Sequence, residues 1–246
     1  MLPRLIAAAS LLLATAAPAQ VTLGVVAAGE FGSRTVGSAP DGLDATVDAL
    51  REGSGFAFAP GLGVIAERKF GGLFSVSTQL RYTNTGYAYE LAPEGFLDPF
   101  TGRPIAGDPA DGSVRYRYEF LSLAIGASEV WGRGRVRCYA EEYLTPMLLL
   151  STRTSAARGA AARLPGPRRE RANDFHIGVR GGVGAQTEIG SGLRLRLGVT
   201  ANYHFTQTFD DIGLREHLFG FGPELALLRV IGGAGTADGP ADEIYY

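Results

Sequence analysis

Hydrophobic and polar residues alternate along most of this 246-residue chain, in eight separate segments. One segment shows the pattern clearly, because apolar residues occupy every second position from Leu193 to Phe205 while Arg194, Arg196 and His204 lie between them. A period of two places successive side chains on opposite faces of a β-strand. The pattern therefore predicts eight strands, at residues 21–32, 55–69, 73–89, 114–130, 135–154, 174–189, 193–208 and 216–230.

The connections between these segments alternate in length. Short connections at 70–72, 131–134 and 190–192 alternate with long ones at 33–54, 90–113, 155–173 and 209–215. Short turns on one side and long loops on the other are typical of outer-membrane barrels. The strands are 12–20 residues long, against about five or six in most globular proteins. The sequence therefore predicts an all-β fold, an eight-stranded antiparallel up-and-down transmembrane β-barrel.

The first residues are typical of a secretory signal peptide. Arg4 precedes an apolar stretch, and the small residues Ala17 and Ala19 flank Pro18, as at a cleavage site. We therefore expect a signal peptide at 1–19, a barrel at 20–231 and a flexible periplasmic tail at 232–246. Beyond residue 19 no hydrophobic run exceeds four residues, whereas a transmembrane helix needs about 20. A closed barrel is the other structure that can cross a membrane.

Composition argues against several functional classes. The formal net charge is −2, whereas nucleic-acid-binding proteins usually carry a basic surplus. The single cysteine excludes an internal disulfide and a zinc site with several cysteines. The sequence shows no phosphate-binding loop and no metal-ligand spacing. We therefore expect no nucleic-acid partner, no cofactor, no metal and no catalytic residues.

Aromatic residues cluster toward the predicted strand ends, as they do in the two lipid–water girdles of membrane barrels. Near the long loops lie Phe56, Phe58, Tyr82, Tyr116, Tyr118, Phe205, Phe209, Phe219 and Phe221, and near the short turns lie Phe70, Phe74 and Trp131. In the fourth segment the apolar parity changes between Phe120 and Leu121, which predicts a β-bulge there. In the fifth, Glu142 falls on the apolar face, which indicates another bulge or a wrong local register.

The lumen of an eight-stranded barrel is filled by side chains. Charges of both signs fall on the predicted inward face, Glu30 among them, and they predict a buried network of Arg–Glu pairs. The network residues are Glu67, Arg81, Arg115, Arg117, Glu119, Glu141, Arg180, Glu188, Arg194, Arg196 and Glu224. A narrow ion path or a ligand site in the lumen is the alternative interpretation.

The third long connection is rich in arginine. Arg168, Arg169 and Arg171 make it a candidate contact for anionic lipopolysaccharide, or a partner for the acidic first connection. A solvated loop is the simpler alternative.

Several stretches resemble a known family. Residues 74–89 resemble a strand that reads roughly "slqtELlYsqkG" in the Bacteroidetes outer-membrane β-barrel family, often called PorT-like, with Gln79 where the family usually has Glu. Residues 120–125 resemble its "YLeiPlll" strand without the Pro. Residues 139–144 resemble "yveaGpyl", with Glu142 and Tyr143 replacing small residues. Residues 181–184 and 195–203 resemble its "GaGvey…ldlrYnyGL" hairpin. The resemblance implies an eight-stranded, OmpX- or OmpA-like outer-membrane barrel and no specific activity.

Together these features predict a porin-like protein in the outer membrane of a Gram-negative bacterium, with a structural or interaction role and no enzymatic activity. Its expected partners are outer-membrane lipid and lipopolysaccharide, the barrel-assembly machinery and other envelope proteins. One alternative is a soluble, lipocalin-like carrier of small ligands in the periplasm. A weaker alternative is a lipid A-modifying enzyme, for which His204, Thr206 and Glu224 are the available side chains, although no serine has the required spacing.

Overall fold

A computed structural model describes residues 21–38, 44–70, 74–90, 113–156, 172–209 and 214–231. Its strands are β1 (Val21–Ser38), β2 (Ser54–Phe70), β3 (Phe74–Glu90), β4 (Ser113–Trp131), β5 (Val136–Ala156), β6 (Phe175–Gly190), β7 (Leu193–His204) and β8 (Leu214–Ile231), and its helix is α1 (Asp44–Glu52). Each strand pairs with its neighbours in sequence, and β1 also pairs with β8. The predicted eight-stranded antiparallel up-and-down barrel is therefore confirmed. The described part of the chain contains no helix that is long and apolar enough to cross a membrane.

The two ends of the barrel differ in their connections. At one end, here called the turn end, tight turns join β4 to β5 and β6 to β7, with Gly132, Gly134 and Gly192 at φ of 110°, 92° and 72°. Side chains rarely adopt these left-handed values, so glycine allows both turns. The opposite end, here called the loop end, carries the long connections.

Two strands end at places that the alternation does not predict. Strand β1 continues to Ser38, six residues past 32, and its ladder with β8 runs on to the pair Ser38–Leu214. Strand β7 ends at His204 instead of 208, because Phe205 N and Thr206 N both donate to the carbonyl of Ile177, at 2.8 and 3.4 Å. This double contact interrupts the regular ladder.

Helix α1 lies within a connection that we expected to be a loop. Its Val47 and Leu50 are buried in the same apolar cluster as Val36 of β1, and Arg51 Nε donates to the Val36 carbonyl at 2.9 Å. Ser54 Oγ donates to the Leu50 carbonyl at 2.6 Å and so ties the helix to the start of β2. The helix therefore fills the lumen at the loop end.

The bulge predicted on β4 is wrong. Along this strand every even-numbered residue from Val114 to Ala124 is buried inside the barrel, without a break at Phe120. The register shift lies instead on the partner strand, where Glu119 pairs with Ser151 and Phe120 pairs with Leu149. The extra residue is therefore Leu150 of β5.

This correction changes the faces of five side chains on β4. Tyr116 and Tyr118, which we expected in an outer aromatic girdle, are fully buried in the lumen. Arg115, Arg117 and Glu119, which we expected in the lumen, alternate with them and therefore point outward. Phe209 is also buried instead of lying in the girdle.

Glu142 needs no bulge. It pairs with Ala127 of β4 and Gly181 of β6 within uninterrupted ladders, and its side chain is exposed on the outward face. Cys138 lies on the same outward face and is likewise exposed. The signal peptide and the tail, predicted at 1–19 and 232–246, lie outside the described residues.

Candidate functional site: the charged lumen

The inward faces of the strands form a stack of polar layers along the barrel axis. Near the turn end, Arg196 of β7 donates from both terminal nitrogens to the two carboxylate oxygens of Glu67 on β2. Its Nε donates to Gln186 Oε1 at 3.0 Å, and its guanidinium lies 5.1 Å from the ring centre of Tyr139. This bidentate pair spans the lumen and fixes both side chains.

The central layer joins two arginines to two glutamates. Arg180 Nη2 lies 2.7 Å from Glu141 Oε1 and 3.0 Å from Glu224 Oε2. Arg81 Nη2 lies 2.7 Å from the same oxygen of Glu224. Because Glu224 receives both guanidiniums, the strands β3, β5, β6 and β8 are linked through the interior.

Neutral side chains complete this central layer. Gln79 Oε1 accepts from Arg81 Nε at 2.6 Å and from Arg180 Nη1 at 2.9 Å, and Gln79 Nε2 donates to the Tyr143 hydroxyl at 2.6 Å. The Tyr143 hydroxyl donates to Glu141 Oε2 at 3.1 Å. Such extensive satisfaction is what a buried charged layer requires, since an unpaired buried charge is costly.

A third layer lies at the loop end. Arg34 Nη1 donates to Glu216 Oε2 at 2.7 Å and to the Tyr87 hydroxyl at 2.9 Å, and its guanidinium lies 4.0 Å from the centre of the Tyr87 ring. The Tyr118 hydroxyl donates to Glu216 Oε1 at 3.3 Å. Around this pair the lumen is filled by an apolar cluster that includes Leu50 of α1 and Leu218 of β8. The loop end is thus closed by side chains.

The predicted network residues divide into three groups. The structure brings six into the layers described above: Glu67, Arg81, Glu141, Arg180, Arg196 and Glu224. At the rim of the turn end, Glu188 is half exposed and contacts Arg137 at 3.1 Å and Arg194 at 3.5 Å.

The third group lies on the outer wall. Arg115 is exposed and Arg117 is half buried, and Glu119 pairs with the exposed Arg153 at 2.9 Å. Their inward assignment is wrong, because the aromatic residues between them occupy the lumen. Arg168, Arg169 and Arg171 lie outside the described residues.

Sequence reasoning missed the neutral and terminal members of the layers. Gln79 and Tyr143 fall at inward-facing positions of the alternation, but they carry no charge. The network was predicted from charged residues alone and therefore did not include them. Arg34 lay in a predicted loop and Glu216 at a predicted strand end, although both continue the inward parity of their strands.

The side chains of the enzymatic alternative do not assemble. The carboxylate of Glu224 is engaged by Arg81 and Arg180, and His204 packs edge-on against Phe120 at 5.4 Å between ring centres. Thr206 Oγ1 accepts from Ile177 N at 2.9 Å. Within the described ranges no cluster of three or more His, Cys, Asp or Glu side chains could hold a metal ion.

Comparison with known proteins gives structural likenesses only. No protein-family model matches the chain, and none of the curated proteins matches it. Similar solved structures include Neisserial surface protein A, with 14% identity over 86% of this chain and 97% of that one and a TM-score of 0.41. They also include the outer membrane protein OprG from Pseudomonas aeruginosa, with 8% identity over 85% and 95% and a TM-score of 0.46.

A third similar structure is the outer membrane protease OmpT from Escherichia coli, with 7% identity over 89% and 99% of the two chains and a TM-score of 0.42. At these identities and scores the likenesses support no inference about activity. The resemblance to the PorT-like family stays a prediction.

Proposed function

We propose that this chain is an outer-membrane β-barrel protein of a Gram-negative bacterium with a structural or interaction role. One observation carries the proposal: the polarity of the barrel is inverted relative to a soluble protein. Thirty-one large hydrophobic side chains of the described residues are exposed, almost all of them on the outward face, while the inward face holds buried ion pairs. Soluble monomers rarely expose contiguous apolar patches of such size.

The apolar outer surface has the height of a lipid bilayer. On β7 the outward residues run without a polar side chain from Leu193 to Tyr203. Ten residue steps of about 3.3 Å, at a strand tilt of about 40°, cover roughly 25 Å along the axis. This matches the apolar band of about 25 Å found on outer-membrane barrels.

Polarity reverses again near the loop end, as it should where a barrel leaves the lipid. On β4, Leu121 is an outward apolar residue, whereas the outward residues beyond it are Glu119, Arg117 and Arg115. At the same level the lumen changes from the central ion-pair layer to an apolar cluster around Tyr116, which encloses the pair Arg34–Glu216. The loop end therefore has the ordinary arrangement of a domain in water.

Because side chains fill the lumen, a closed barrel is favoured, and a channel or a carrier is disfavoured. A lipocalin-like carrier needs an apolar interior cavity and a polar exterior, and the described barrel shows the reverse at the levels of Glu67 and Glu224. The bidentate Arg196–Glu67 pair and helix α1 obstruct the two ends of the lumen. A closed wall leaves the outer surface and the loops as the places where a partner would bind.

The expected partners are outer-membrane lipid and lipopolysaccharide, the barrel-assembly machinery and other envelope proteins. Crosslinking in native membranes tests this part of the proposal, because a protein with an interaction role should give reproducible crosslinks to specific envelope proteins. Crosslinks to lipid alone would reduce the proposal to a structural role.

A charge substitution tests the membrane placement. Val199 lies at the middle of the apolar run of β7 and is 56% exposed. In lipid vesicles we expect Val199→Arg to lower the unfolding free energy by about 2–4 kcal/mol, the cost of arginine at a bilayer midplane. Thr35→Arg is the matched control, because Thr35 is exposed on the outward face of β1 at the loop end; it should change stability by less than about 1 kcal/mol.

Fractionation gives the opposing outcome directly. If the protein is recovered in the soluble periplasmic fraction without detergent, and Val199→Arg is as stable as the unsubstituted protein there, the membrane placement is wrong and the carrier interpretation replaces it.

A further inference from the structure

A small cavity of about 40 Å³ lies in the lumen on the loop-end side of the central ion-pair layer. Its lining includes Glu30, Ser122, Thr145, Arg180, Asn202 and His204. A single water needs about 10–15 Å³ of such volume. The cavity therefore has room for about three particles of the size of water.

Buried polar atoms converge on this cavity. Thr145 is 8% exposed and His204 is 3% exposed, and neither Thr145 Oγ1 nor His204 Nδ1 has a hydrogen-bond partner among the described residues. The same is true of the buried atoms Glu30 Oε1 and Asn202 Oδ1. Buried polar atoms in proteins are nearly always satisfied, so this group of four indicates a bound species.

The two acceptors belong to side chains that already touch. Asn202 Nδ2 donates to Glu30 Oε2, which leaves the second carboxylate oxygen of Glu30 and the amide oxygen of Asn202 available for a further partner. The Thr85 hydroxyl also lines the cavity beside Glu30. Gly220 accommodates the carboxylate, since a Cβ there would collide with Glu30 Oε1. A carboxylate and an amide oxygen can only accept, so the missing partner is a cation or a donor.

Charge balance favours a cation. The cavity is lined by the carboxylate of Glu30 and the guanidiniums of Arg81 and Arg180, and these two arginines pair with Glu224 and Glu141 in the central layer. Because Glu141 and Glu224 pair with these arginines, the uncompensated negative charge resides on Glu30.

We propose that the lumen binds one alkali-metal cation, Na⁺ or K⁺, together with water. Glu30 supplies the charge, and the oxygens of Asn202 and Thr145 and the ring nitrogen of His204 supply contacts to the ion or its water. Oxygen ligands are those that hard cations prefer. Arg180 Nε, a buried donor without a partner among the described residues, would donate to the water. The site would neutralise the interior and tie β1 to β7.

Thermal unfolding of the full chain in detergent tests the site. NaCl or KCl is titrated against choline chloride at constant ionic strength, so that screening stays fixed. We expect a saturable stabilisation by the alkali cation, such that at ten times the dissociation constant the ratio of folded to unfolded protein rises about elevenfold. Glu30→Gln should abolish this response, whereas Glu188→Gln, which removes an exposed rim carboxylate, should retain it.

Two results would overturn the proposal. One is an unsubstituted protein that responds equally to choline and to the alkali cations. The other is an infrared band of a protonated carboxylic acid that is present in the unsubstituted protein and absent in Glu30→Gln, since a proton would then neutralise Glu30.

If Glu30→Gln fails to fold, the unsubstituted protein still decides the matter. Crystals soaked in RbCl should show an anomalous peak beside Glu30 and Asn202. A peak at the rim near Glu188 with none beside Glu30 would contradict the site.

Discussion

The pair Arg196–Glu67 allows a quantitative test of how the lumen is stabilised. Both side chains are about 95% buried, with exposures of 4% and 5%, and their contact is bidentate. Replacing one member leaves an uncompensated charge in the interior, which costs about 3–5 kcal/mol. We therefore expect Arg196→Met to lower the unfolding free energy by that amount, and Glu67→Leu to have a similar effect.

The double variant distinguishes an ion pair from two separately packed side chains. Replacing a buried pair by apolar residues of similar volume is often neutral or stabilising, so Arg196→Met with Glu67→Leu should recover most of the loss. The coupling energy of the cycle should exceed about 2 kcal/mol. The rim pair Arg137–Glu188 is the matched control, because its side chains are 34% and 47% exposed. Its coupling should stay below about 1 kcal/mol.

The assay is urea unfolding in lipid vesicles, followed by fluorescence. The chain has one tryptophan, Trp131, which is 43% exposed at the turn end of β4, so its emission reports transfer between lipid and water. Additive single effects at Arg196 and Glu67, with a coupling no larger than that of the rim pair, would refute the view that the lumen is held by compensated charges.

Three further predictions follow from the outer surface and the helix. Leu50→Ala removes a side chain that is 1% exposed in the loop-end cluster; it should lower the free energy of urea unfolding by about 2–5 kcal/mol, and an unchanged value would show that the packing of α1 does not stabilise the loop end. Glu142→Leu should stabilise the barrel in vesicles, because an outward carboxylate is unfavourable in lipid, and a loss of stability instead would indicate that Glu142 contacts a polar group there. Cys138, exposed on the outward face, should react with an apolar maleimide in vesicles and be protected from a charged one, whereas equal labelling would place it outside the lipid.

The strands could be predicted from the sequence because each face of the barrel wall keeps one kind of surroundings, apolar outside and polar inside, along most of each strand. On β7 the residues between Leu193 and Tyr203 alternate between apolar and polar surroundings, so the period of two is visible without any other information. The closed topology followed from the alternating lengths of the connections. Helix α1 was missed because, among its described side chains, its buried face shows Val47 and Leu50 alone within nine residues.

The candidate site was only partly predictable, because membership of a polar layer depends on contacts across the lumen. Gln79 connects two arginines that lie 2 and 101 positions away in sequence, and alternation along one strand carries no information about such partners. The alternation along each strand predicts which side chains point into the lumen. Which of these side chains contact one another depends on how the strands pack across the lumen.

The error on β4 has a physical cause, which on the proposed membrane placement is the boundary between lipid and water. A strand that leaves lipid for water keeps its parity, but the outward face changes from apolar to polar and the inward face changes from polar to apolar. In sequence this reversal looks like a bulge, since apolar residues move from one parity to the other between Leu121 and Phe120. Strand β3 pairs Tyr82 with Leu121, and β5 pairs Leu149 with Phe120.

On the two strands beside β4, which are β3 and β5, the outward residues change from apolar to polar at the same level. On β3 the outward residue after Tyr82 is the polar Asn84, and on β5 the residues paired with the outward Glu119 and Arg117 are the polar Ser151 and Arg153. Strand pairing alone does not require the outward residues of three adjacent strands to change polarity at one level. A boundary between lipid and water would require this change on all three strands. An apparent parity break that is shared by paired residues of adjacent strands therefore indicates a boundary of the solvent, and a break confined to one strand indicates a true bulge.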